Sequence, residues 1–273
     1  MMKLEDINVC VMRIEGTNNE HATARGFQNL GVNAELVHFK SLIDHSDIAP
    51  ERRRKLMDYD ILMIPGGFSS GDYVRAGAIW ASWIRSKLGK ELEEFMREGR
   101  AVCGICNGFQ VLTQLDLLPG TIKAFLATNA SAKFECRYVQ LKHMRGCVFT
   151  NRIPKGKNIE LPIGHGEGRF TLSPGNEEKE YQSLLDNDQL VFKYAYGSDF
   201  ANGEYPWNPN GAYQDIAGVC NLEGNVFGLM PHPERVLERF NHGKWTRGGK
   251  DINSPGDGQI LFESVVDYIR RKF

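Results

Sequence analysis

The residues Gly104, Ile105, Cys106, Asn107 and Gly108 set a cysteine between two glycines, after the apolar run Ala101 to Ile105 and before a helical stretch, Asn107 to Leu118. A G-x-C-x-G segment between a strand and a helix has the form of a nucleophile elbow with cysteine in place of serine. The glycines leave room for a sharp turn that holds residue 106 in a strained conformation, its side chain exposed above a sheet. The following helix aims its N-terminal amides and positive dipole end at the sulfur, which favours the thiolate. Such a group attacks a carbonyl. The resulting oxyanion needs donors already in place, and the amides of Asn107 and of Gly67, in Pro65-Gly66-Gly67 after another apolar run, are the candidates.

A nucleophile of this kind needs a base. Of the seven histidines, His232 stands apart, because Pro231-His232-Pro233-Glu234 follows the apolar run Val226 to Met230. Pro233 biases His232 toward extended geometry and suits the first position of a following helix. Residues 232 and 234 then share one side of the chain, with the carboxylate orienting the imidazole and the other ring nitrogen facing the thiol. His165-Gly166-Glu167-Gly168 offers the same two groups in a glycine-rich turn, and the strand-to-proline context favours 232 and 234. Cys103 and Cys106 also have the spacing of a redox pair or half a zinc site, for which Cys136, His143 and Cys147 are the remaining ligand candidates. That reading leaves the two flanking glycines unexplained, so Cys103 is expected to be core.

The elements that position these groups alternate. Ile7 to Arg13, Glu35 to Phe39, Asp60 to Ile64 and Ala101 to Ile105 read as strands, separated by helical patterns over His21 to Leu30 and Gly77 to Glu98, the latter breaking at Gly89. This alternation predicts an α/β fold, a mostly parallel central sheet flanked by helices, with reactive groups at the carboxyl ends of its strands. The second half is richer in strands: Tyr138 to Leu141, Val148-Phe149, Ile159 to Ile163, Val191 to Tyr196, Ile216 to Leu222 and Val226 to Met230. Gly258 to Arg271 reads as a closing helix, and 151–157, 173–188 and 241–257 read as surface loops.

Bulk properties narrow the class. The 273 residues form a chain long enough for a large core, read as one domain, and 41% hydrophobic with 25% charged residues is ordinary for a packed globular protein. A net charge of -1 gives no positive field to hold nucleic acid or an anionic membrane. The acidic start of the chain and the lack of any long apolar run predict no secretory signal and no membrane span, hence a cytoplasmic protein. Six scattered cysteines do not make a disulfide scaffold in a chain of this size.

Taken together, Gly104 to Gln110 (GICNGFQ) resembles the nucleophile motif of class I glutamine amidotransferases, and Gly228 to Arg235 (GLMPHPER) is similar to their histidine and glutamate motif. Gly66 to Ser69 with Gly71 to Gly77 narrows the resemblance to the glutaminase subunit of phosphoribosylformylglycinamidine synthase, in purine biosynthesis. Asn129 to Arg137, His165 to Phe170 and Asn208 to Gly211 strengthen it, and the motifs run from Ile7 to Phe262. The resemblance implies one flavodoxin-like domain over 1–273, in which Cys106 attacks the side-chain amide of glutamine to give a thioester and ammonia. It also implies that Gln110, Phe68 and Ser131 bind glutamine, and that a large synthetase subunit uses the ammonia to convert formylglycinamide ribonucleotide to formylglycinamidine ribonucleotide. A small third subunit assists assembly in such systems. ATP and magnesium belong to the synthetase, and this chain has no cofactor of its own; it lacks a phosphate-binding glycine loop followed by Lys and Ser or Thr. A stand-alone cysteine hydrolase and a catalytically silent binding subunit are the alternative functions.

Overall fold

The computed structural model describes residues 1–247 and 251–273. In chain order the strands are β1 (Asn8–Arg13), β2 (Asn33–His38), β3 (Ile61–Ile64), β4 (Ala101–Ile105), β5 (Ala124–Ala127), β6 (Glu135–His143), β7 (Asn158–His165), β8 (Arg169–Leu172), β9 (Leu190–Tyr196), β10 (Asp199–Phe200), β11 (Ile216–Cys220) and β12 (Val226–Leu229). The helices are α1 (Glu20–Gln28), α2 (Phe39–Leu42), α3 (Ala78–Lys87), α4 (Gly89–Arg97), α5 (Asn107–Gln114), α6 (Glu177–Asp186) and α7 (Gln259–Lys272).

One large sheet runs in the order β2-β1-β3-β4-β12-β11-β9-β6-β7, with β10 beside β9, and β5 pairs with β8 separately. From β2 to β12 the neighbours are parallel. From β12 to β7 they are antiparallel. The expected α/β architecture is present, and the strand-rich second half of the sequence forms the antiparallel half. Both faces of the parallel half are covered: β3 and β4 are buried throughout, which explains why they read as unbroken apolar runs rather than alternating ones. Phe27 of α1 meets Phe262 of α7 edge to face at 5.0 Å on one side. On the other, Phe109 of α5 lies against Gly228 of β12.

Several expectations need correction. Val148-Phe149 is a turn rather than a strand, because Thr150 folds back on Cys147, its hydroxyl accepting the Cys147 amide at 2.9 Å. The Asn107 helix ends at Gln114, four residues short of Leu118, and the Gly77 to Glu98 region divides at Leu88, with Gly89 opening the second helix. Proline 233 starts only a single 3-10 turn, Pro233–Arg235. The 173–188 loop contains α6, whose one fully buried residue, Leu184, is too little for a visible apolar stripe.

The topology puts the reactive segments side by side. Ile64 of β3 and Gly228 of β12 both pair with Gly104 of β4. The chain therefore leaves three adjacent parallel strands at one end: at Pro65-Gly66-Gly67, at Cys106 and at Met230-Pro231-His232.

Candidate active site

Cys106 lies at φ 51°, ψ −105°, a conformation that L-residues rarely adopt and that persists only where its surroundings hold it. Its amide donates to the Leu229 carbonyl at 2.8 Å, and its carbonyl accepts from Gln110 at 3.1 Å. The flanking glycines serve close approach rather than unusual dihedrals. A Cβ on Gly104 would fall 2.4 Å from the Gly108 backbone, and one on Gly108 would fall 1.9 Å from the Ile64 carbonyl oxygen. Without them α5 could not lie so near β3 and β4. The cysteine was expected to stand exposed; instead it is only 5% exposed, because loops from the antiparallel half rise around it. Its sulfur lies 3.8 Å from the Gly164 carbonyl oxygen.

His232 is held by a 2.8 Å bond from its amide to the Pro162 carbonyl. Its Nδ1 is 2.6 Å from Glu234 Oε1, and both side chains are buried. Burial alone disfavours the imidazolium, but the Glu234 carboxylate, reinforced by the nearby Cys106 sulfur, overrides it and raises the His232 pKa to about 9. Nε2 has no conventional hydrogen-bond partner among the described residues and stands within electrostatic reach of the sulfur. Gly66 is wedged between the two: a Cβ there would lie 2.8 Å from His232 Cε1 and 3.4 Å from Cys106 Cβ. The paired arrangement can take a proton from a thiol and return it to a leaving group.

The cleft over the sulfur is lined by Gly67, Phe68, Asp72, Ala76, Gln110, Phe134 and Gly164 to Glu167. Larger depressions lie around Met96, Thr121 and Asn225 and around Arg145, Asn187 and Gly224; neither presents a nucleophile with a base. Gly67, at φ 153°, packs so closely on Gly16 and Thr17 that a Cβ would meet the Gly16 carbonyl oxygen at 2.7 Å. Among the described residues neither its amide nor that of Asn107 donates to another protein group, so both remain available to an oxyanion. The Asn107 side chain accepts from the Ser69 amide at 3.2 Å and donates to Gln110 Oε1 at 2.9 Å. Gln110 in turn donates to the Glu167 carbonyl at 2.6 Å. Phe68 forms an exposed wall. Ser131 stands apart from these residues, exposed, with its hydroxyl on Glu135 at 3.1 Å.

His165 and Glu167 do not face each other as a base and its orienter. His165 Nδ1 is 3.2 Å from Asn129 Oδ1, whereas the Glu167 carboxylate accepts from the Ala76 amide at 3.3 Å. Burial, with the neighbouring His232 charge second, lowers the His165 pKa to about 3. Cys103 is buried in β4 and its thiol is pushed well up by burial, as core packing requires. Among the described residues no three His, Cys, Asp or Glu side chains are grouped to hold a metal. Among the site's neighbours, Asp72 and Phe134 lie within the segments Gly71 to Gly77 and Asn129 to Arg137, and Gly164 directly precedes His165; Tyr194, close enough to feel the charge of Cys106, lies in none of the motif segments. Asp72 adopts φ 53°, and its side chain meets Asn107 at 3.4 Å; residue type and spacing alone assign neither it nor the other three a part in the site.

Comparison with known proteins agrees with this geometry. Residues 6–269 match the CobB/CobQ-like glutamine amidotransferase domain. Phosphoribosylformylglycinamidine synthase subunit PurQ of Archaeoglobus fulgidus is 44% identical over 99% of this chain and 100% of its own, and that of Methanococcus maripaludis is 46% identical over 96% and 97%. A chain in the structure of PurLQS from Thermotoga maritima superposes with a TM-score of 0.71 at 32% identity, over 97% of this chain and 99% of that one. The chain belongs to the glutamine amidotransferase family that includes the PurQ subunits of phosphoribosylformylglycinamidine synthase.

Proposed function

We propose that the whole chain, 1–273, acts as the glutaminase subunit of a phosphoribosylformylglycinamidine synthase. The observation that carries this reading is Cys106, held at φ 51° over the sheet beside a His232–Glu234 pair joined at 2.6 Å. Cys106 attacks the side-chain carbonyl carbon of glutamine while Gly67 and Asn107 amides receive the oxyanion. His232 gives its proton to the amide nitrogen, the carbon–nitrogen bond breaks, and ammonia leaves a γ-glutamyl thioester on Cys106. Water, deprotonated by His232, then releases glutamate. Gln110 and Phe68 hold the substrate in the cleft; Ser131 would reach it only if its loop moved from Glu135.

The ammonia goes to a large synthetase subunit that binds ATP and magnesium, with a small subunit assisting assembly, and a cytoplasmic site suits this chemistry. No described helix is long and apolar enough to cross a membrane. The test is Cys106→Ala in the assembled complex, assayed with glutamine and with an ammonium salt. Glutamine-dependent synthesis should vanish and ammonia-dependent synthesis should persist. Equal loss of both would make residue 106 structural, and retained use of glutamine would remove it from the mechanism.

A further inference from the structure

His165 is used by none of the steps above, yet it is 2% exposed and lines the same cleft as Cys106. The hydrogen bonds around it fix its tautomer. The Asn129 amide nitrogen donates to the carbonyls of Lys133 and His165, each at 2.8 Å. Its oxygen accepts from the Gly168 amide at 3.0 Å and is therefore the atom that faces His165 Nδ1 at 3.2 Å. An oxygen acceptor there places the hydrogen on Nδ1 and leaves Nε2 as a lone pair. Gly168 pins the ring, since a Cβ at that position would fall 2.2 Å from His165 Cε1.

His165 Nε2 is buried without a hydrogen-bond partner among the described residues, and so is Nε2 of His232. An unmet buried acceptor is costly unless something in the working site meets it. The two rings are near enough for the charge of one to disfavour charge on the other. His232 is thus a proton donor, and His165 a neutral acceptor in the cleft that holds the Cys106 sulfur. The one reacting atom that needs both is the amide nitrogen of the tetrahedral intermediate, which takes a proton on its lone pair and still carries N–H bonds.

We propose that His165 Nε2 accepts an N–H of the glutamine amide nitrogen as it departs and holds the product as uncharged ammonia. This rests on the glutaminase reading. The sulfur–carbon bond forms, the carbon–nitrogen bond breaks, the proton on His232 passes to nitrogen, and His165 ends as it began. Because burial keeps His165 from taking up a proton near neutrality, it has none to give to the ammonia, whose lone pair stays free for the synthetase.

The experiment compares His165→Leu and His165→Gln in the complex with the native synthetase subunit, measuring glutamate released, aminated product formed, and synthesis from an ammonium salt. In His165→Leu the product formed per glutamate should fall by roughly three- to tenfold, the worth of one hydrogen bond between uncharged groups. Synthesis from ammonium should be unchanged, and His165→Gln, which restores an acceptor, should recover most of the ratio. A wild-type ratio in His165→Leu overturns the proposal; absence of glutamate release by the wild-type complex overturns the glutaminase reading instead. A second measurement is independent of how the variants fold: nitrogen-15 histidine spectra of the wild-type protein should show His165 protonated at Nδ1, and a proton on Nε2 overturns the assignment.

Discussion

At the scale of single residues, the cleft brings together two buried histidines driven in opposite directions. His232 holds its proton to about pH 9 because its carboxylate partner outweighs burial. Removing His232 as His232→Asn should lower glutamine hydrolysis by about two to four orders of magnitude, the usual worth of a positioned acid and base, measured as glutamate release at saturating glutamine. The two shifts also set a pH dependence of stability. Folded His232 keeps a proton that the unfolded chain loses near pH 6.5, so its contribution is complete below that pH and is lost as pH rises through 9. Folded His165 stays neutral to about pH 3, so stability falls as acidification through 6.5 protonates only the unfolded chain. Urea midpoints from pH 4 to 10 should show both limbs, with His165→Leu flattening the acid one alone. An unchanged acid limb in that variant would mean that His165 is not buried neutral.

At the scale of elements, the elbow depends on backbone contact. Gly108→Ala sets its Cβ against the Ile64 carbonyl oxygen at 1.9 Å, and neither α5 nor β3 can yield without breaking the sheet's cover. Its thermal midpoint should fall by an amount equivalent to about 1–3 kcal/mol, or the chain should fail to fold. Gly66→Ala is a different case, since its nearest obstacles are the side chains of His232 and Cys106 with the Asn19 amide. It should keep most of its stability and lose glutaminase activity, read as kcat rather than KM, as His232 is pushed from Cys106. Retained kcat would show that the pair tolerates the methyl group. Nearly every strand of the parallel half was legible in the sequence, because burial on both faces leaves continuous apolar runs such as Ala101 to Ile105. By contrast α6 and the β5–β8 pair were not legible, because short, half-exposed elements carry too few apolar positions for a period to emerge.

At the scale of the whole molecule, the cleft opens on a surface with exposed apolar side chains: Phe68, Phe134, Tyr73 at 88% and Val74 at 79% exposure. A subunit that released ammonia into water would lose it to protonation, so activity should await a partner seated on this surface. The isolated chain is expected to release glutamate slowly and the assembled complex to do so much faster, with Gly67 as the peptide that reorients. Tyr73→Ser with Val74→Ser should weaken assembly, measured by sedimentation, while leaving the thermal midpoint of the free chain unchanged. Equal glutamate release alone and in complex would favour a stand-alone hydrolase. The loop with Lys244, Arg247 and Lys250 is a less direct candidate for this contact. Lys244 already donates to Glu160 at 2.8 Å, and Lys250 lies outside the described residues.

By itself the sequence determined the chemistry-bearing segments and their places at strand ends, since glycines, prolines and apolar runs act on their immediate neighbours. The Cys106 elbow and the His232–Glu234 pair, two residues apart, are local in that sense. Only the tertiary structure decided that β12 lies beside β4, which joins the two segments. It also decided that Cys106 is buried under loops from the antiparallel half, and that Asn129, from before β6, fixes the tautomer of His165 at the end of β7. These depend on strand order and on desolvation summed over distant parts of the chain, and neither leaves a period or spacing in the residues it governs.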